Sequence, residues 1–255
     1  MIPAWFATGM IFVIGAALGS FLNVVISRLP RHHSLVAPRS RCPSCGTSIA
    51  ARDNIPLVSF LLLRGRCRTC RKPIGWRYPL VELLTAVLLT ALWLREGPTL
   101  QFAAAAILVL ILVPIFFIDL EHHIVPNALS YPGIVLGLLL AVPQGRFVDA
   151  FLTAASAGAL FLLIVLLSRG GMGGGDIKLA VVMGAFLGWP SIAVALLVAF
   201  TTGAAVGVVL MATGRRARKD AIPFGPFLAL GAVVAWFAAS AVITWYLGWP
   251  VSRTG

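Results

Sequence analysis

Eight long apolar runs, separated by short polar segments, determine what this chain can fold into. Their approximate limits are 4–27, 79–94, 101–118, 129–143, 150–168, 177–188, 191–212 and 223–248. A helix needs about 20 apolar residues to cross the hydrocarbon core of a membrane. Hydrophobic residues make up 60% of the chain and charged residues 11%, which excludes an ordinary soluble domain or a disordered chain. The sequence therefore predicts an all-α polytopic membrane protein with about eight transmembrane helices.

The sixth run, 177–188, differs from the others in length. It has only a dozen residues before Gly188, Trp189 and Pro190 interrupt it. Because this is short for a helix that crosses a membrane, we expect the sixth run to be tilted or partly re-entrant.

The positive charges are concentrated in one polar segment, residues 28–78, which we call the basic loop. It contains eleven of the twenty Lys and Arg residues and a single acid, so it holds +10 of the net charge of +12. Loops rich in Lys and Arg stay in the cytoplasm. We therefore expect an N-terminus outside the membrane, a first transmembrane helix (1–27), the cytoplasmic basic loop (28–78) and a transmembrane core (79–255). A second basic cluster falls on the same predicted side: Arg215, Arg216, Arg218 and Lys219.

All four cysteines lie in the basic loop, as two C-x-x-C pairs: Cys42 with Cys45, and Cys67 with Cys70. Two such pairs about twenty residues apart can supply four thiolates to one tetrahedral Zn²⁺. Two disulfides or four idle thiols are the alternatives, although disulfides are rare in the cytoplasm. Four cysteine ligands leave no open coordination position, so we expect zinc to stabilise a small loop domain and to perform no chemistry.

Only eight acids occur in the chain, and most of them need no special explanation. Four lie in loops or at the ends of runs, where solvation accounts for them: Asp53, Glu96, Asp149 and Asp220. Glu82, early in the second run, either pairs with an arginine of the basic loop or has a functional role. Glu121 precedes His122 and His123 in a short loop, and we interpret these three as solvated residues, not as metal ligands.

Two acids stand out by their neighbours. Asp119 closes the third run, and Asp176 directly follows a stretch of glycines that includes Gly173, Gly174 and Gly175. Taken singly, Asp119 would mark the end of a span and Asp176 would be a helix N-cap. On the predicted topology both lie at the cytoplasmic edge of the membrane, where a pair of carboxylates can activate water and polarise a peptide carbonyl. The glycines would let an extended substrate approach the backbone closely.

Helix dipoles predict which of the two aspartates is ionised. The third span ends at Asp119, whereas the sixth span begins at Asp176 with Lys178 close by. Anions are favoured at the N-terminus of a helix and disfavoured at its C-terminus. We therefore expect Asp176 to be the ionised base and Asp119 the protonated partner, in a pair that titrates together.

Five motifs occur in order along nearly the whole chain. They are Gly19-Ser20-Phe21-Leu22-Asn23-Val24-Val25-Ile26-Ser27-Arg28-Leu29-Pro30, the two cysteine pairs, Ile118-Asp119-Leu120 with Ile124-Val125-Pro126, Gly171-Met172-Gly173-Gly174-Gly175-Asp176-Ile177-Lys178-Leu179, and Pro223-Phe224-Gly225-Pro226-Phe227-Leu228. Together they resemble the type IV prepilin peptidases, the bacterial leader peptidase and N-methyltransferase family. Five ordered motifs are far more specific than any one of them alone.

The resemblance implies an aspartic membrane peptidase of the bacterial inner membrane, with Asp119 and Asp176 as the catalytic pair facing the cytoplasm. Gly173, Gly174, Gly175 and Lys178 would support the substrate and its loop. The substrates would be type IV prepilins or type II secretion pseudopilins, cleaved after a glycine that ends a short basic leader. The new N-terminal residue, often Phe, would then be methylated from S-adenosylmethionine. No Gly-rich nucleotide motif marks the site of this donor, so its residues are not predicted.

Partners and competing functions follow from the same features. A loop of +10 repels a basic leader, so we expect it to contact anionic lipids, worth about 1 kcal/mol per basic residue near the surface, and no nucleic acid. Gly-interrupted helices and membrane acids also suit an ion- or proton-coupled transporter, although transport sites lie near the midplane. A zinc-stabilised scaffold without activity is a third possibility.

Overall fold

A computed structural model describes residues 3–37, 39–168, 172–214 and 223–248. Within these ranges the chain forms nine α-helices and no extended strand. The helices are α1 (Ala4–Arg28), α2 (Val58–Leu62), α3 (Arg77–Glu96), α4 (Leu100–His122), α5 (Asn127–Ala141), α6 (Phe147–Leu167), α7 (Gly174–Leu187), α8 (Ser191–Ala212) and α9 (Gly225–Leu247). Gly171 of the second aspartate motif and the second basic cluster lie outside the described residues.

Eight of these helices coincide, to within a few residues, with the eight apolar runs. Among the described residues, six helices are long and apolar enough to cross a membrane: α1, α3, α4, α6, α8 and α9. Helix α5 has 15 residues and α7 has 14, fewer than the roughly 20 that a full span needs. The predicted all-α, multi-pass architecture is therefore confirmed, whereas eight full-length spans are not.

The chain forms two compact units, residues 1–114 and residues 115–255. In the first unit α1 packs along α3, and the basic loop connects these two helices. The loop contains the five-residue helix α2 and a 3-10 turn, Ala51–Asn54. Two isolated β-bridges, Arg41 with Ser48 and Arg66 with Pro73, each close one C-x-x-C hairpin.

Helix α7 is the centre of the second unit. It packs against α5, α6 and α9, while α8 pairs with α9. Helix α7 approaches α6 closely at Gly184, where a Cβ would lie 2.6 Å from Cα of Ala154. Small residues allow such contact between membrane helices. Side chains on all sides of α7 are buried, Leu179 and Phe186 among them. Since neighbouring helices cover α7, its backbone does not have to span the bilayer in contact with lipid, and 14 residues suffice.

Candidate functional site

Asp119 lies in the last turn of α4 and is buried, with 5% of its surface exposed. Its Oδ2 accepts a hydrogen bond from the backbone N–H of Gly225 at 2.9 Å. Gly225 is the first residue of α9, where backbone N–H groups have no partner within the helix. The N-terminus of α9 therefore holds the Asp119 carboxylate.

An aromatic cluster fixes the beginning of α9. The ring of Phe224, directly before Gly225, lies 5.2 Å from the ring of Phe200 in α8 and 6.3 Å from that of Phe161 in α6. Ring separations of about 4.5–7 Å are typical of favourable aromatic pairs. This segment is one of the five sequence motifs, but Gly225 is not among the residues predicted for the site. The sequence does contain a signal for this role, which is a glycine between Phe224 and Pro226 at the beginning of an apolar run.

Asp176 lies in the first turn of α7 and is also buried, with 7% of its surface exposed. Its carboxylate interacts electrostatically with that of Asp119. The second unit thus brings together the end of α4, the beginning of α7 and the beginning of α9. Two interacting acids in a buried position are costly to a fold, and such arrangements concentrate at functional sites.

The three consecutive glycines before Asp176 have different surroundings. Gly175 packs against Val125, since a Cβ at Gly175 would lie 2.9 Å from Cγ2 of Val125. Gly174 borders open space, with no neighbouring atom within 4 Å of such a Cβ. Gly173 precedes α7 in an extended conformation. Gly175 is therefore required for packing, whereas the space beside Gly174 is compatible with the approach of an extended substrate.

Lys178 joins α7 to the connection between α4 and α5. Its Nζ donates hydrogen bonds to the carbonyl oxygen of Val125 at 3.3 Å and to Oδ1 of Asn127. The same Nζ lies 5.9 Å from the ring centroid of Tyr131. These contacts join the beginning of α7 to the segment that follows Asp119.

The hydrogen bond from Gly225 changes the expected ionisation of the aspartate pair. Asp119 does lie near the C-terminal end of α4, as the dipole argument assumes, but it also faces the N-terminus of α9. An N–H donor and the positive end of a helix both stabilise an ionised carboxylate. This donor lies 106 residues further along the chain than Asp119, so the dipoles of α4 and α7 alone do not include it.

Two acids outside this pair contact backbone N–H groups. Asp149 accepts a hydrogen bond from Trp189 N–H at 3.1 Å and lies 3.6 Å from Arg146. Glu82 is buried, and its Oε2 accepts a hydrogen bond from Leu57 N–H at 2.8 Å. Glu82 therefore contacts the backbone of the basic loop, whereas pairing with an arginine of that loop is one of the two roles that its position in the sequence suggests.

The four cysteines of the basic loop form one cluster. Their Sγ atoms all lie within 4.8 Å of one another, and all four are free thiols. The two pairs turn in the same way, because Cys42 O accepts a hydrogen bond from Gly46 N–H and Cys67 O accepts one from Arg71 N–H. Four convergent sulfur ligands fit a tetrahedral metal ion. The predicted clustering of the cysteines is confirmed, and the alternative of two disulfides does not fit this structure.

Hydrogen bonds set the protonation of this cluster. The side chain and backbone of Thr47 lower the pKa of Cys45 to about 6, and the backbone N–H of Cys70 lowers the pKa of Cys67. The backbone N–H of Lys72 lowers the pKa of Cys70, but burial and the neighbouring thiols outweigh it and raise that pKa to about 11. Thiolates are the metal-binding form, so the cluster offers ready ligands and a metal would displace the remaining protons.

Arg68 connects the second cysteine pair to the rest of the basic loop. Its guanidinium donates hydrogen bonds to both carboxylate oxygens of Asp53, at 2.6 to 3.0 Å. Such bidentate pairs are among the stronger charge-assisted contacts. The hydrogen bond from Arg68 lowers the pKa of Asp53.

The structure is that of a multi-pass membrane protein with a buried acid pair and a thiol cluster. Comparisons with known proteins place a chain of this kind in a family. The signature of the Bacterial Peptidase A24 N-terminal domain matches residues 13–96. That of the Type IV leader peptidase family matches residues 106–208. No solved structure matches the chain significantly.

Three of the curated relatives, each named Prepilin leader peptidase/N-methyltransferase, illustrate the similarity. The protein of Aeromonas hydrophila is 37% identical over 95% of this chain and 94% of its own length. That of Legionella pneumophila is 38% identical over 96% of both. That of Myxococcus xanthus is 47% identical over 80% of this chain, and the match spans 64% of that longer protein.

The chain belongs to the type IV leader peptidase family. Its resemblance to the prepilin leader peptidase/N-methyltransferases is thereby confirmed, and the chain is an enzyme of that class.

Proposed function

We propose that this enzyme removes the short basic leader from type IV prepilins or type II secretion pseudopilins, with Asp119 and Asp176 as its catalytic pair. The observation that supports this proposal is the pairing of two buried, interacting carboxylates in the second unit. Both residues lie within the region that matches the Type IV leader peptidase family. A transporter that uses the same aspartates finds no support among the relatives.

The proposed reaction needs one ionised and one protonated carboxylate. The ionised group takes a proton from water, whose oxygen bonds to the scissile carbonyl carbon, while the protonated group gives its proton to the carbonyl oxygen. The C–N bond of the tetrahedral intermediate then breaks. The intermediate returns its added proton to the carboxylate that supplied it, and the amine leaves with the proton that the other carboxylate took from water. Because Asp119 accepts the Gly225 N–H, we assign the resting charge to Asp119 and the proton to Asp176, which reverses the expectation from helix dipoles.

The cysteine cluster and the second activity belong to the same proposal. Cys42, Cys45, Cys67 and Cys70 would hold a structural Zn²⁺, because four thiolates leave no position open for a substrate. S-adenosylmethionine would supply the methyl group: the new N-terminal amine gains an N–C bond, the S–C bond breaks, and a proton passes to water. The name of the relatives, N-methyltransferase, supports this second activity.

The orientation in the membrane is inferred from charge. A basic loop of +10 favours the cytoplasmic side of the bacterial inner membrane, which leaves the N-terminus outside. The ends of helices that meet at Asp119 and Asp176 then face the cytoplasm, where a prepilin leader lies. The loop itself is suited to anionic lipid headgroups, and we assign it no nucleic-acid partner.

Leader removal by the purified protein tests the aspartate pair. Asp119→Asn and Asp176→Asn should each reduce cleavage of a prepilin at least about 100-fold, since each removes one half of the acid–base chemistry. Asp149→Asn is the matched control, because Asp149 is a helix-end acid whose Trp189 contact an amide oxygen can retain. Wild-type cleavage by either variant of the pair would contradict the proposal, provided that its zinc content and melting temperature are unchanged.

A further inference from the structure

The short helix α2 of the basic loop carries an exposed apolar surface. Leu61 and Leu62 have 73% and 77% of their surfaces exposed. Ile55 and Val58 are also exposed and precede them at helical spacings of three and four residues, so these side chains share one side of the helix. Trp76, which is 78% exposed, lies beside α2 with its ring 5.2 Å from that of Phe60. We call the exposed residues the α2 patch: Ile55, Val58, Leu61, Leu62 and Trp76.

The covalent connection to α3 places one end of this patch at the membrane surface. Trp76 directly precedes α3, which is long and apolar enough to cross a membrane. The first turn of α3 also contains Tyr78, which is exposed. Trp and Tyr are enriched where a membrane helix leaves the hydrocarbon core and enters the headgroup region. Trp76 and the rest of the α2 patch beside it therefore lie close to the headgroups.

Glu82 holds the beginning of α2 at the same depth. Its Oε2 accepts a hydrogen bond at 2.8 Å from the N–H of Leu57, which directly precedes α2. Leu57 has a φ of +60°, which bulky residues rarely adopt, so the contact is retained against backbone strain. Glu82 lies five residues after Arg77, or about 7–8 Å along α3. Since each headgroup region is about 5–8 Å thick, α2 begins within the thickness of the membrane interface.

The charges around α2 indicate which lipids it meets. Arg64 and Arg66 follow α2 directly, and both are exposed. Asp53, the single acid of the basic loop, is already paired with Arg68. Interfacial helices combine exposed apolar residues with basic residues that contact anionic headgroups. The surroundings of α2 are therefore complementary to anionic phospholipids.

We propose that α2 is a membrane-surface anchor of the basic loop. The α2 patch inserts at the boundary between headgroups and acyl chains of the cytoplasmic leaflet, and Arg64 and Arg66 contact the phosphates of anionic phospholipids. The inference rests on the proposed cytoplasmic position of the loop and adds the segment that enters the lipid. Because Cys67 follows α2 by only five residues, insertion also keeps the thiol cluster close to the membrane surface.

Photochemical cross-linking detects this lipid contact directly. The full-length protein, with benzoylphenylalanine in place of Leu62, is irradiated in lipid nanodiscs, and mass spectrometry measures the fraction bonded to a phospholipid. Leu83 is the positive control, because it is an exposed side chain of the membrane helix α3. Val36 is the matched control, because it is an apolar, 91% exposed residue of the same loop outside the α2 patch. Probes at Leu62 and Leu83 should give similar yields, and a probe at Val36 at least about 10-fold less.

Two serine substitutions measure what the insertion contributes. In nanodiscs of phosphatidylglycerol, Leu61→Ser combined with Leu62→Ser should speed trypsin cleavage after Arg64 roughly 10- to 100-fold, because burying a leucine shifts an equilibrium by about that factor. Val36→Ser should be cleaved there at the wild-type rate. In neutral phosphatidylcholine, the wild type should give several-fold less cross-linking from Leu62 than in phosphatidylglycerol.

The outcomes separate this inference from the proposed function. The anchor is wrong if the probe at Leu62 bonds to no lipid while the probe at Leu83 does, or if it bonds instead to a prepilin or to a second copy of the chain. Equal yields in the two lipids would overturn the role of the arginines. Asp176→Asn should cross-link like the wild type, so loss of leader cleavage and loss of lipid contact are distinguishable. Zinc content and melting temperature show whether each variant is folded.

Discussion

The contact between Gly225 and Asp119 can be tested with a single added methyl group. Gly225→Ala keeps the backbone N–H that donates to Asp119 and adds only a Cβ. That Cβ would lie 2.6 Å from Oδ2 of Asp119 and 3.0 Å from its Cγ. Ordinary contact begins at 3.4 Å, so the carboxylate or the beginning of α9 must move by about 0.8 Å. We expect the variant to fold, with a displaced Asp119.

The size of the effect follows from this displacement. A misplacement of about 1 Å in a reacting group lowers the rate about 100-fold, and we expect kcat for leader cleavage to fall between roughly 10- and 100-fold. The value of KM should change little, because Gly225 does not face open space where a substrate would bind. Since alanine is the better helix former by roughly 0.5–1 kcal/mol, any loss of thermal stability would come from the clash alone.

The measurement is steady-state cleavage of a prepilin peptide, with kcat and KM determined separately. Gly9→Ala is the matched control: it makes the same substitution within α1, where a Cβ meets no atom within 4 Å. The control should retain the wild-type kcat. A Gly225→Ala protein with the wild-type kcat and an intact fold would refute the idea that the beginning of α9 positions Asp119.

Three further predictions concern the glycine stretch and the basic loop. Gly175→Ala should lower stability by about 1–3 kcal/mol because it presses on Val125, whereas Gly174→Ala should melt like the wild type; if Gly174→Ala also cleaves normally, the substrate does not pass there. Removal of zinc by a chelator should make the basic loop sensitive to protease while the transmembrane helices stay intact, and continued resistance would disprove a structural metal. Because Arg68 lowers the pKa of Asp53, their pair should stabilise the loop fully above the ordinary aspartate pKa of about 3.9 and lose this effect as pH falls through the lower folded pKa. Asp53→Asn should abolish that difference in a protease-resistance profile.

Local composition made most of the helices predictable, and long-range contacts explain what was missed. The apolar runs and the spacing of the cysteines can both be read from residues that are close together in the sequence. A run of twelve apolar residues looks the same whether lipid or protein covers it, so the enclosure of α7 by α5, α6 and α9 could not be foreseen. The donor from Gly225 could not be foreseen for the same reason, since the dipole of the helix that contains each aspartate does not reveal a contact with a third helix. The hydrogen bond that Asn23 Nδ2 donates to the carbonyl oxygen of Tyr78 is likewise long-range, because the two residues are 55 positions apart.

The hydrogen bond between Gly225 and Asp119 also has a consequence for the newly made protein. Its two partners are separated by 106 residues, and a ribosome adds about 5–20 residues per second. A growing chain therefore exists for roughly 5–20 s with Asp119 made and its donor still missing. During this interval α7 also lacks α9, one of the helices that enclose it. Asp119 therefore gains its backbone donor, and α7 its full enclosure, only after the last helix has been made.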